Sequence, residues 1–171
     1  AYVSEVMFWL YRPLTFMLWG GVFERFPRLK AMVVEGGTMF MVPSWLILLD
    51  HNYTDIQFSA KLGDFRSHLS MAPSEYFARN CGIGASCVPR RDLDMRDQIG
   101  LKQIMWGSDF PHPEGTWPNT AQYYQDTFKG FDVDDGRQIL GGNAIEFYGL
   151  DRQYLDGLAA EIGPSSSIFN G

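Results

Sequence analysis

The chain has 171 residues, 46% hydrophobic and 15% aromatic, enough apolar surface for one folded domain and too little length for two. Its formal net charge of -6, without a lysine or arginine cluster, argues against nucleic acid and anionic membranes as partners and leaves a small-molecule substrate. Cys81 and Cys87 lie outside any CxxC pair, so free thiols in a reducing, cytoplasmic setting are expected over a disulfide.

Ser4 can cap a first helical turn, and Pro13 suits the first position of a second helix through Leu14, Met17, Leu18 and Val22. Gly20 and Gly21 weaken that helix by about 1 kcal/mol each, so a helix that runs through them needs close packing. The residues before Pro13 show no basic stretch followed by an apolar run and a cleavage site, so no signal peptide is expected. Arg12 and Pro13 split the apolar run 6–22, leaving each half short of the roughly 20 residues a membrane span needs.

Residues 29–34 (LKAMVV) predict a strand closed by Glu35, Gly36 and Gly37. A helix follows from Val42, with Trp45, Leu46, Leu48 and Leu49 as its apolar face and Asp50, His51 and Asn52 at its end. The stretch 54–72, which holds His68, is expected to be a polar loop with one short helix. Both His51 and His68 read as solvated histidines. Tyr76, Phe77 and Ala78 predict a strand running into Arg79, Asn80 and Cys81, and residues 92–100 a short crossover helix.

The third strand is Ile104, Met105 and Trp106, ending at Gly107 and Ser108. After Pro118, Asn119 or Thr120 caps a helix containing Ala121, Tyr124 and Phe128. A further helix from Asp134 is broken by Gly141 and Gly142, and residues 143–148 (NAIEFY) start another. From Gly163 the Gly/Ser/Pro-rich tail 163–171 is expected to be mobile. Strands alternating with helices predict an α/β fold with a parallel sheet covered by helices. Three strands cannot close an eight-stranded barrel, which takes about 250 residues.

Glu35 and Asp109 each follow a strand. In a parallel sheet the residues just past the C-terminal ends share one rim, where sites in such folds lie. Capping of a following helix is the competing role for both, evenly balanced for Glu35. For Asp109 the Phe-Pro-His that follows favours function. His112, on a segment restricted by Pro111 and Pro113, suits a positioned group or a rim histidine bonded to backbone. Trp106, Phe110 and Trp117 outline an aromatic pocket or, equally, local packing. The sequence has no HxH, HExxH or cysteine pair at ligand spacing and no GxSxG, so by itself it assembles neither an ordinary zinc site nor a serine nucleophile.

Five blocks in order, GGVFERFPRLKAMVVEGG, the helix with Trp45, PSEYFARN, IMWGSDFPHPEGTWP and ILGGNAIEFYGL, resemble the C-terminal half of the amidohydrolase-related family. That family comprises metal-dependent hydrolases and decarboxylases, including the aminocarboxymuconate-semialdehyde decarboxylase type. The resemblance implies that residues 1–162 are part of a (β/α)₈ barrel cut after its fifth strand. It places Asp109 at the end of the eighth strand as metal ligand and catalytic group, and Glu35 at the end of the sixth as a catalytic residue. A number of relatives carry a histidine at the Glu35 position, and this sequence departs from them there. His112 and Trp117 would lie beside the substrate. The family's histidine pair on the first strand has no counterpart, so the divalent ion expected in the complete enzyme, zinc by preference, is not expected to stay with this chain. The expected activity is hydrolysis or decarboxylation of a small organic substrate. The competing expectation is a non-catalytic half-barrel that needs a partner chain or the missing N-terminal half. Open strand edges make self-association an expectation as well.

Overall fold

The computed structural model describes residues 1–36, 39–55 and 61–170. Three parallel strands, β1 (Ala31–Val34), β2 (Cys81–Ser86) and β3 (Ile104–Gly107), form one sheet in that order. Ala31 pairs with Cys81, Ile83 with Ile104, and Ser86 with Gly107. The α/β architecture with three parallel strands is therefore the one expected. Strand residues alternate between two faces, and Val33, Ile83, Ala85 and Ile104 on one of them are buried in the main core. The opposite face carries Met32, Val34, Gly84, Ser86 and Gly107, and Val34 is 63% exposed.

Helix α1 (Tyr2–Trp19) crosses Pro13 without a break, where two helices were expected. Tyr11, Leu14 and Leu18 supply the reason: they form one buried stripe at helical spacing on both sides of the proline, so core packing holds the helix together. Thr15 Oγ1 donates to the Tyr11 carbonyl (2.9 Å) and accepts from Trp45 Nε1 (3.0 Å), linking α1 to α3 (Met41–Thr54). Between them lies the single turn α2 (Val22–Arg25). Gly21, with φ 64°, ends α1 where the His68 ring passes so close that a Cβ would lie 2.8 Å from it. That ring bonds the Trp19 carbonyl (2.9 Å), so His68 closes the end of α1 and is not simply solvated. The short helix expected within 54–72 falls on a stretch whose residues 56–60 lie outside the described residues.

Residues Pro73–Asn80 form helix α4, not the strand expected there, and the strand follows at Cys81. Pro73, Tyr76, Phe77 and Asn80 are all buried at helical spacing, with Pro73 in the first turn and Glu75 Oε2 accepting from the Ala72 N–H (2.7 Å). The crossover from β2 to β3 divides into two single turns, α5 (Arg90–Leu93) and α6 (Arg96–Ile99). After β3 come α7 (Thr120–Phe128) and α8 (Val133–Arg137), the latter capped by Asp132. Gly141 and Gly142 do not break the chain's helical path. A π-helical turn, Gln138–Gly142, carries it into α9 (Asn143–Tyr148). Gly142 allows this because the Gln138 side chain lies over it, well inside the distance a Cβ would need. Asn143 then donates to the carbonyls of Leu101 and Ile104, both at 2.7 Å, beneath the start of β3.

Helix α10 (Arg152–Ile162) buries none of its residues. The tail beyond it is nevertheless docked, against the expectation of a mobile end: Ser166–Phe169 form a 3₁₀ turn, and Ile168 and Phe169 are buried. The Phe169 ring fills the space above Gly136 and meets Phe128 at 6.1 Å, and the Phe169 carbonyl accepts from the Gly130 N–H (2.9 Å). Among the described residues, no helix is long and apolar enough to cross a membrane.

Candidate functional site

All three strands point the same way, so one rim collects the residues past Val34, Ser86 and Gly107. Each strand leaves the sheet through a left-handed residue that is not glycine: Glu35 (φ 57°), Cys87 (φ 49°) and Asp109 (φ 60°). Among the described residues these are the only three of their kind. A side chain in that conformation costs on the order of 1–2 kcal/mol, and such residues gather at functional sites.

The packing explains the turns. Beyond Glu35 the Gly36 N–H reaches the Gly84 carbonyl (3.1 Å), and a Cβ on Gly36 would lie 2.6 Å from Ile83. The Cys87 N–H reaches the Gly107 carbonyl (3.3 Å), extending the ladder by one residue. Past Asp109 the chain closes a small loop, with the Thr116 N–H donating to the Ser108 carbonyl (2.9 Å) and the His112 N–H to the Asp109 carbonyl (2.8 Å). Gly115 sits inside that loop, and a Cβ there would fall 2.8–3.0 Å from the carbonyl oxygens of Ser108, Asp109 and His112.

The loop brings two of the expected site residues together. His112 Nδ1 lies 3.3 Å from Asp109 Oδ2 and 3.1 Å from Glu114 Oε2, and the Asp109 side chain is only 18% exposed. Cys87 Sγ donates to the Glu114 carbonyl at 3.6 Å. Burial, then the charges of Asp109 and Glu114, push the Cys87 thiol above its ordinary pKa. Cys81 is also free, and burial raises its thiol to about 12. Trp117 stands 66% exposed, with its ring edge-on to Phe110 at 5.8 Å. Glu35 shares the rim but is exposed, two strand spacings from β3 or roughly 10 Å. Trp106 packs against Tyr124 at 4.8 Å, a structural contact and not a pocket wall.

Cys87, read from the sequence only as a free thiol, and Glu114 and Asp92, not read there as site candidates, gain roles in the structure. Cys87 and Glu114 complete the surroundings of Asp109 and His112. Asp92 is fully buried, with Oδ2 accepting from the Met39 N–H (3.0 Å) and Oδ1 3.5 Å from Arg91 Nε, so it ties the chain after β1 to α5. The sequence signal for Glu114 was its place two residues after His112; Cys87 became visible only once β2 was located.

A carboxylate in contact with an imidazole can hold and pass a proton. A catalytic metal generally needs about three protein ligands, and no group of three or more His, Cys, Asp or Glu able to hold one occurs among the described residues. The donors present do not by themselves fit a metal.

The family model for amidohydrolases matches residues 10–150. The chain is 29% identical over 141 residues to 2-amino-3-carboxymuconate-6-semialdehyde decarboxylase of Dictyostelium discoideum, covering 81% of this chain and 36% of that protein. Among solved structures it resembles 5-carboxyvanillate decarboxylase from Sphingomonas paucimobilis, with TM-score 0.62, 28% identity and coverage of 79% and 38%. An amidohydrolase from Mycobacterium avium subsp. paratuberculosis K-10 matches with TM-score 0.59, 27% identity and coverage of 77% and 31%. A dihydroxybenzoic acid decarboxylase from Polaromonas sp. JS666, solved with manganese and 2-nitroresorcinol, shares the fold at TM-score 0.57 and 21% identity, covering 79% and 38%. The chain thus spans about a third of the length of these relatives. With the family model spanning most of its length, the chain belongs to the amidohydrolase family.

Proposed function

We propose that this chain supplies the carboxylate-bearing rim of a metal-dependent barrel enzyme that removes a carboxyl group from, or hydrolyses, a small organic substrate. The observation that carries the reading is the convergence of three left-handed strand ends on one rim, with Asp109 held against His112. Asp109 is the carboxylate this chain would contribute to a divalent ion, and it can accept a proton during the reaction. Glu35 lies on the same rim as a second acid–base group, with His112 and Trp117 on the substrate side. The two relatives named as decarboxylases at 28–29% identity favour decarboxylation over hydrolysis.

A second reading is a non-catalytic half-barrel that becomes active only with a partner chain or further sequence bearing the missing donors. Its support is the absence of a three-donor group among the described residues.

The test is metal analysis of the purified full-length protein beside Asp109→Ala, with turnover of 5-carboxyvanillate as the probe reaction. The variant is expected to retain less metal and to lose about 10²–10⁴-fold in rate. Equal metal content and equal turnover would remove Asp109 from the mechanism.

A further inference from the structure

A cleft of about 560 Å³ lies away from the Asp109 rim. It lies between the π-helical turn with α9 on one side and α10 with the docked tail on the other. Because Asn143 bonds the carbonyls of Leu101 and Ile104, this region sits at the start of β3, the opposite end of the sheet from the rim. Helix α10 and the tail also lie beyond the segment matched by the family model.

The walls are mainly apolar: Ile145 comes from α9, Leu155 and Ala159 from α10, and Ile168 from the tail. Leu155 and Ala159 face the cleft from a helix that buries none of its residues, so the space before them is open to a ligand. Two arginines, Arg137 and Arg152, line the same space. Arg137 is exposed and has no carboxylate partner among the described residues. The partner of Arg152 is Glu146 at 4.0 Å, with both side chains half exposed. Asp156 is the one acidic residue of the lining, against two arginines, in a chain of net charge -6. A volume of this size falls in the roughly 300–1,000 Å³ range of small-molecule sites.

We infer that this cleft is a second binding site, separate from the rim, for a small amphipathic carboxylate. Its hydrocarbon part would lie between α9 and α10, and its carboxylate on Arg137 and Arg152. Planar guanidinium groups match carboxylates through paired hydrogen bonds, whereas an uncharged chain would gain only the apolar contact.

Calorimetric titration of the full chain with decanoate below its micelle concentration tests this, with decanol as the uncharged control. Decanoate is expected to bind saturably at one site, and decanol roughly tenfold more weakly or worse. The pair Arg137→Gln and Arg152→Gln, both at exposed positions, is expected to remove the preference for decanoate. Ala159→Trp, which fills the cleft, is expected to abolish binding of both ligands. Absence of saturable decanoate binding, equal affinity for decanol, or affinity unchanged by the arginine pair would overturn the inference. None of these readouts depends on turnover at the rim.

Discussion

At the scale of single residues, Glu35, Cys87 and Asp109 occupy a conformation that glycine adopts at lower cost, so their side chains are held there by the surrounding hydrogen bonds. Gly115 shows how tight that framework is. A methyl group on it would press on three backbone carbonyls, none of which can swing aside as a flexible side chain would. Gly115→Ala is therefore expected to lower stability by about 1–3 kcal/mol, as overpacking generally does, and to disturb the Asp109–His112 contact. Urea unfolding checks it, and a midpoint equal to that of the parent chain would show that the loop has slack. Asp109 and His112 were legible because an apolar run, two small residues and a proline-restricted segment mark the end of a strand. Cys87 was not, because its strand had been placed too early in the chain.

At the scale of elements, strands β1 and β3 and helices α3 and α7 follow from apolar periodicity and from proline and cap signals. Strand β2 defeated the same reasoning. CGIGAS is poor in the branched and aromatic residues that mark strands, whereas the neighbouring Tyr76 and Phe77 imitate one. A central strand needs little propensity of its own, since β1 and β3 pair with both its edges, and its Gly82 faces Met105 and Phe147 where a Cβ would crowd them. The tail misled for a related reason: its composition is that of a linker, yet two apolar residues suffice to dock it. Phe169→Ala would leave a void against Phe128 and Gly136 and is expected to cost about 3–5 kcal/mol. Denaturant titration with tryptophan fluorescence measures this, and a loss below about 1 kcal/mol would mean the tail does not help hold the fold.

For the molecule as a whole, family membership could be read from sequence blocks in order along the chain, and the family model matches residues 10–150. What could not be read is how the remaining surface is covered. Among the described residues no strand pairs with the outer edge of β1 or of β3, and Val34 on the outer face is largely exposed. Such edges recruit other strands. At micromolar concentration the isolated chain is expected to elute from size exclusion as associated material, and a monodisperse monomer with a sharp melt would sink that expectation. The parallel sheet also constrains what association can build. Its two free edges differ, so joining β1 of one copy to β3 of the next is a head-to-tail contact, which either closes into a ring or grows without limit. Copies of a three-stranded sheet offer strands only in multiples of three, and the eight of a (β/α)₈ barrel is not among them. Self-association along these edges therefore has no route to the family's own closed ring of eight strands.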